Sequence, residues 1–285
     1  MDRVTNLRSP YDELADAYHS VDPDGVGLTD ATFNDLVGKV KGLRLVAVAC
    51  GQGRDARRLA DLGAVVVGVD ASNPLLEHAR DLELRRPRGI KYVHGDAQDL
   101  RDLGDAEFDG AVCHMALMDI PELEPTLRSV ARVLVPGGWF VASIVHPCYK
   151  TPADGELIDH VDGTTRRIVG RYFDEGAYHS ATRWEVLPRV AYHRTLSTYL
   201  NTLVGCGLAV ERVVEPVGER PVWRAVPGLL YLAAANRRLR RTERSTSGSI
   251  KWEGPTAGVH TDQRADEQGV SRERRASGSC TAGRG

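Results

Sequence analysis

From residue 43 onward the chain alternates short apolar runs with helix-like stretches, and this rhythm leaves few folds open. LRLVAVA (residues 43–49) is a nearly continuous apolar run that ends in Cys50-Gly51-Gln52-Gly53 and is followed by the helix-like DARRLADL. The pattern repeats with a strand at AVVVGVD (64–70), a helix over 73–86 and a strand at IKYVHGD (90–96). FDGAVCHM then precedes a helix over 121–134, which stops at Pro136-Gly137-Gly138 before the strand WFVASIV. Strands separated by helices of this length predict an α/β fold, a mostly parallel sheet with helices on both faces. Right-handed crossovers gather the strand ends and the loops after them along one edge.

Two helices are predicted ahead of this unit. In SPYDELADAYHS, Ser9 suits the cap, Pro10 the first helical position, and Leu14, Ala17 and Tyr18 recur at helical spacing. A second helix is expected from Asp30 through Phe33 and Leu36 to Val40. Residues 1–42 thus read as a helical lid. After Val145 the rhythm breaks, and an insertion over about 147–192 reads as a cap in which RRIVGRYF and RWEVLPRVAYH form a hairpin. A helix over 195–204 and two strands, LAVERVVEP and LLYLAAANR, complete a domain spanning 43–236.

Charge divides the chain unevenly. Its net charge is only -2, but residues 237–285 hold 11 basic and 6 acidic residues, so the body before them is acidic. An acidic body is a poor match for a nucleic-acid backbone, and RRLRRTER (237–244) reads as a solvated charge run. The tail is rich in Ser, Gly, Thr and Arg, too poor in apolar residues to offset its ordering entropy, so disorder is expected there. The five cysteines (Cys50, Cys113, Cys148, Cys206, Cys280) form no C-x-x-C pair, which predicts reduced thiols and no structural metal site. With no apolar run long enough for a signal or a membrane span, the expected setting is the cytoplasm.

The Gly51-x-Gly53 turn follows a buried strand and opens a helix, so the missing side chains let a ligand approach the backbone at a helix N-terminus. By itself the pair fits a plain turn as well as a nucleotide site. Asp70, at the end of the next strand, has the spacing of a carboxylate that accepts both ribose hydroxyls; its bland role is a cap for the helix beginning SNPLLEHA. Asp96 ends the third strand, where its carboxylate can accept the adenine amino group while the Ala97 amide donates to a ring nitrogen.

Four blocks, VACGQGRDARRLADLGAVVVGVDAS, YVHGDAQDL, FDGAVCHMALMDIPE and VARVLVPGGWFVASIVHP, together resemble the class I S-adenosylmethionine-dependent methyltransferases, in particular the small-molecule branch with the ubiquinone and menaquinone methylases. The resemblance implies a Rossmann-like seven-stranded sheet whose last strand is antiparallel, with S-adenosylmethionine as cofactor and a small organic molecule accepting a methyl group on O, N or C. It further implies that Ala49, Gly51 and Gly53 lie along the methionine part and that Asp70, with Ala71 beside it, holds the ribose. Asp96 and Ala97 then frame adenine, and His114 begins the floor near the reacting sulfur.

Two positions depart from the family pattern. Ala49 replaces the usual first glycine, and Ala47 stands where an acidic residue usually helps hold the methionine amino group. Losing a charge-assisted hydrogen bond costs about 1.5–3 kcal/mol, so weaker cofactor binding is expected. Methyl transfer mainly requires alignment of donor and acceptor, and an acceptor that loses a proton gains from a base. His146, directly after WFVASIV, and His193, where the chain leaves the insertion, are the candidates, each with a structural role as the alternative. Competing readings are an NAD(P)-dependent oxidoreductase, since Gly51-x-Gly53-x-x-Ala56 with Asp70 satisfies a loose dinucleotide pattern, a nucleic-acid methylase, and a non-catalytic binding protein.

Overall fold

The computed structural model describes residues 7–21, 30–152, 157–159, 165–180, 190–218, 224 and 226–237. The tail from residue 238 lies outside them, and with it the expectation of disorder there.

The apolar runs become a seven-stranded sheet. β1 (Arg44–Val48), β2 (Val65–Asp70), β3 (Lys91–His94), β4 (Phe108–His114) and β5 (Leu134–Val145) run parallel, interleaved with α3 (Arg54–Asp61), α4 (Asn73–Arg85) and α5 (Leu123–Val133). Two shorter helices, α1 (Ala15–Val21) and α2 (Ala31–Val37), precede them. In the insertion lie β6 (Leu157–Asp159), β7 (Thr165–Arg167), β8 (Gly176–His179) and β9 (Val190–His193), and after it come α6 (Leu196–Gly205), β10 (Leu208–Val214) and β11 (Leu229–Asn236). The spatial order is β10-β11-β5-β4-β1-β2-β3, and β11 is antiparallel to both of its neighbours. The first crossovers run outward from β1 to β3 and the chain then returns to β4, so β1 and β4 sit side by side at the switch point, where open α/β sheets leave a crevice.

The central strands β1, β4 and β5 are buried on both faces, which is why their sequences are continuous runs rather than alternating ones. Val46, Val48, Ala111, Phe140 and Ala142 face α5 and α6, packing on Leu127, Val130 and Leu203. Leu45, Ala47, Val112 and Val141 face the other way, onto Phe33 and Val37 of α2 and Ala56 and Leu59 of α3. The turn into β5 is held by Asn236, whose Nδ2 donates to the carbonyls of Ala131, Leu134 and Val135 at 3.1, 3.0 and 3.2 Å. Asn236 is 2% exposed, so this amide satisfies carbonyls that the bend out of α5 would otherwise leave without partners.

Three expectations need correction. The first helix does not begin at Pro10: residues 10–14 form turns, with the Ser9 and Asp12 side chains bonding to local amides, and helical bonding starts at Ala15. The second helix ends at Val37, where Gly38 (φ 68°) terminates it, and not at Val40. The insertion is not one hairpin made of RRIVGRYF and RWEVLPRVAYH. β7 pairs with β6, and β9 pairs with β8, so the two runs belong to separate two-stranded sheets; residues 183–189 of the second run lie outside the described residues.

Candidate active site

The glycine turn leaves the end of β1 with three residues in succession near the left-handed region: Ala49 (φ 51°), Gly51 (φ 55°) and Gly53 (φ 81°), the last serving as N-cap of α3. Gly53 has no room for a side chain, because a Cβ there would lie 2.3 Å from the Tyr92 hydroxyl. Gly51 is favoured by its conformation, at φ 55°, and not by lack of space. The buried Arg57 braces the turn from below, its Nη1 donating to the Gln52 carbonyl at 2.6 Å.

Asp70 closes the turn from β2. Its Oδ2 accepts the Gly51 amide at 2.7 Å and its Oδ1 the Ser72 amide at 2.8 Å. Burial pushes this carboxyl above the usual range, against the lowering effect of the two amides. The helix cap is supplied by Ser72, whose hydroxyl accepts from the Leu75 amide at 3.4 Å, so Asp70 is not the cap of α4. Ala71 follows in the same bend and its carbonyl accepts from His94 Nε2 at 3.0 Å. Asp96 lies just past β3 with its carboxylate bonded to the amide and side chain of Gln98, and the Ala97 carbonyl accepts from Ser129 Oγ at 2.7 Å. The Ala97 amide itself has no hydrogen bond among those described.

These groups form a cradle whose chemistry fits S-adenosylmethionine: backbone without side chains beside β1, a buried carboxylate at β2 and an acid with a free amide at β3. A second buried acid adds to it. Asp12 lies within electrostatic reach of Asp70, and its Oδ1 is buried without a hydrogen-bond partner. A buried carboxylate oxygen with no donor is costly, and a hydroxyl or ammonium of a ligand is the group that would satisfy it.

His114 ends β4, facing the N-terminal helices. Its ring stacks on Phe33 (centroids 4.1 Å apart, planes 10° apart), its Nδ1 meets Asp55 at 3.1 Å and its Nε2 meets Asp30 at 3.4 Å. Burial pulls its pKa down, but the two carboxylates outweigh that and hold it above the ordinary histidine value. Asp30 also caps α2 and accepts from Tyr231 Oη at 2.5 Å. His114 is therefore committed to a network that ties α2 to α3 and β11, and any part in the floor of a cofactor site is shared with that load.

Beyond β4 lies a cavity of about 180 Å³, lined among others by Tyr11, Tyr18, Met115, Met118, Tyr192 and Tyr199. It draws on three regions of the chain. The segment before α1 supplies Tyr11 and α1 itself Tyr18, the β4 loop supplies Met115 and Met118, and the insertion and the start of α6 supply Tyr192 and Tyr199. Arg194 fastens these together: its guanidinium donates to the carbonyls of Leu117, Ile120 and Pro121 at 3.0, 2.7 and 2.5 Å, and the Tyr192 amide bonds to the Met118 carbonyl at 2.8 Å. Met115, at φ 55°, holds a backbone conformation that costs a non-glycine residue about 1–2 kcal/mol, which marks the loop as one whose shape is imposed.

The two histidines expected as bases are both buried at 3% exposure. His146 accepts from the Cys148 amide through Nδ1 at 3.0 Å and meets Glu215 through Nε2 at 2.7 Å, so both ring nitrogens are used. Its neighbours Val145 and Pro147 line the cavity. His193 does reach the cavity wall, with Nε2 donating to the Tyr172 carbonyl at 2.8 Å. The cavity carboxylate was missed by sequence reasoning: Asp119, whose Oδ2 accepts from Tyr11 Oη at 2.9 Å. The available signal was an acid in the otherwise apolar stretch ALMDIP. Among the described residues no cluster of His, Cys, Asp and Glu could hold a metal ion, and no helix is long and apolar enough to cross a membrane.

A parallel sheet whose first glycine turn is closed by an acid from the second strand defines a nucleotide-cofactor α/β protein. Comparisons with known proteins narrow this. Residues 46–142 match a family described as a methyltransferase domain. The crystal structure of an S-adenosylmethionine-dependent methyltransferase from Mesorhizobium loti is similar at a TM-score of 0.64 and 32% identity, covering 72% of this chain and 95% of that one. A ubiquinone biosynthesis O-methyltransferase from Alkalilimnicola ehrlichii is 30% identical over 39% of this chain and 44% of its own length. A demethylmenaquinone methyltransferase from Renibacterium salmoninarum is 34% identical over 40% of this chain and 47% of its own. The chain thus spans less than half the length of these two quinone-methylating relatives. It belongs to the S-adenosylmethionine-dependent methyltransferases, and S-adenosylmethionine is its cofactor.

Proposed function

We propose that this methyltransferase acts on a small, flat organic molecule carrying a hydroxyl or amine, held in the cavity beyond β4. The carrying observation is the cavity itself. A dry cavity of about 150 Å³ accommodates benzene, so one of about 180 Å³ is the size of a single substituted ring. Tyrosine and methionine side chains offer such a ring edge and sulfur contacts. The names of the quinone-methylating relatives support an aromatic acceptor.

Bound S-adenosylmethionine supplies an electrophilic methyl group on a sulfonium. The residues assigned to hold it are Ala49, Gly51 and Gly53 at β1, Asp70 and Ala71 at β2, and Asp96 and Ala97 at β3, with His114 fixing the β4 end. α1 and the segment before it serve as a lid. Three contacts support this: His19 Nδ1 donates to Gln52 of the glycine turn at 2.7 Å, the His19 and His78 rings stack at 4.1 Å, and Tyr11 and Tyr18 reach the cavity. The β8–β9 hairpin serves as the cap on the opposite side, where Tyr178, Tyr192 and His193 line the wall. Closure of the lid and the cap over bound ligands would keep water from competing with the acceptor for the methyl group.

The test is a panel of phenols, catechols and aromatic amines with a methyl-labelled donor, read by mass spectrometry. Labelled product from single-ring acceptors supports the reading. Turnover restricted to long aliphatic substrates would remove it.

A further inference from the structure

We propose that Asp119 is the general base of this enzyme, taking the proton from the acceptor hydroxyl or amine, with Tyr11 and Arg194 positioning it. The inference rests on the small-molecule reading above.

Asp119 lines the cavity five residues past the end of β4, in a turn closed by its own amide on the Ala116 carbonyl at 2.8 Å. Its two oxygens are differently placed. Oδ2 accepts the Tyr11 hydroxyl at 2.9 Å, whereas Oδ1 has no hydrogen bond to any described group and is not sealed from the cavity. Tyr11 thus orients the carboxylate and leaves one oxygen for an incoming proton. The loop cannot swing away, because Arg194 holds the carbonyls of Leu117, Ile120 and Pro121 that flank it.

The electrostatic setting suits the task. Burial pushes Asp119 up to about 6, while the Tyr11 hydrogen bond and the Lys150 ammonium pull it down. The remaining groups within electrostatic reach are Cys113 on β4 and Tyr199 on α6, both pushed upward chiefly by burial and held neutral. His193 and Arg194 stand on the insertion side of the cavity. A carboxylate whose pKa lies near the working pH combines a populated basic form with real proton affinity. Of the two histidines, His146 has both ring nitrogens engaged, and His193 donates Nε2 to the Tyr172 carbonyl, which leaves only its Nδ1 to take a proton.

In the step, the acceptor oxygen or nitrogen forms its bond to the methyl carbon as the carbon–sulfur bond breaks with its electron pair to sulfur. The acceptor proton passes to Asp119 Oδ1 and from there to bulk water, which restores the carboxylate.

Two measurements on the full-length protein test this. Infrared difference spectra with S-adenosylhomocysteine bound should show a protonated carboxyl band that titrates near pH 6, disappears in Asp119→Asn and shifts to higher pH in Tyr11→Phe. Asp119→Asn should keep its affinity for S-adenosylhomocysteine within about threefold. It should lose roughly 100-fold or more in turnover of 4-methylphenol, and much less with 4-nitrophenol, which is largely ionised at neutral pH and needs no base. The absence of any band lost in Asp119→Asn, or full turnover of 4-methylphenol by that variant, overturns the proposal. If the wild-type protein methylates neither phenol, the acceptor reading fails, and the infrared titration alone decides whether Asp119 holds the proton.

Discussion

The Oδ2 atom of Asp70 lies 2.7 Å from the Gly51 amide, so one carboxylate from β2 fixes the turn that leaves β1. This contact makes the proposed cofactor cradle and the local fold depend on the same side chain. Asp70→Ala should therefore do two things. Affinity for S-adenosylhomocysteine should fall by more than tenfold, and the melting temperature should fall as well, because the Gly51 and Ser72 amides lose their acceptor at about 1–3 kcal/mol each when left buried. Calorimetry and thermal melts of the same preparation check both, and unchanged affinity in a destabilised protein would remove Asp70 from the cofactor site.

The network around His114 predicts a pH window for stability. His114 is raised above its ordinary value, so its contribution is complete below about pH 6.5 and is lost as pH rises through the folded-state value. For Asp30, burial acts upward but hydrogen bonds from His114, Tyr231 and the Phe33 amide bring it to about 2, so its contribution is present above about pH 4 and is lost as pH falls through about 2. Urea denaturation of wild type and Asp30→Asn across pH 2–9 isolates this window, and the difference between the two should be widest between about pH 4 and 6.5.

Asp119 has the opposite sign. A carboxyl raised to about 6 in the folded protein binds more protons there than in the unfolded chain between about pH 4 and 6, so stability falls across that interval and stays lower above it. The cost is at most about 3 kcal/mol. Asp119→Asn should melt at a higher temperature than wild type at pH 7.5 and at about the same temperature at pH 4, a gain in stability at the expense of turnover. Equal differences at both pH values would show that Asp119 is not held protonated by its surroundings.

The two departures from the family pattern are also testable. Ala49 occupies φ 51°, where glycine carries no steric penalty, so Ala49→Gly should stabilise the protein by about 1 kcal/mol without weakening cofactor binding. Ala47 is 2% exposed among Phe33, Ala56 and Val112, so Ala47→Asp buries a charge and should lower the melting temperature of the unliganded protein. If the introduced carboxylate faces the cofactor ammonium, S-adenosylmethionine should raise the melting temperature of this variant by more than it raises wild type's. A rise that is no larger places the methionine end away from β1.

Much of the sheet was legible because its signals are local. LRLVAVA, AVVVGVD and WFVASIV are buried on both faces and therefore unbroken in apolar character, and Ser72 and Thr195 announce helix starts by their own hydrogen bonds. The insertion was less legible. RRIVGRYF has strand character, but the choice of β6 as partner of β7 depends on which chain passes beside it, and no residue in the run encodes that.

The sequence by itself determined the alternation of strands and helices, the glycine turn with Asp70 opposite it, and membership of a methyl-transferring family, since each is written in contiguous residues whose chemistry acts over one turn or one strand. Only the tertiary structure decided which acid and which histidines serve the cavity. Asp119 becomes a candidate base because Tyr11, 108 positions away, orients it and because the surrounding side chains desolvate it. His146 has both ring nitrogens engaged because Glu215 and the Cys148 amide reach it first. Proton affinity is set by burial and by neighbours brought together from distant parts of the chain, and neither quantity exists until the chain has folded.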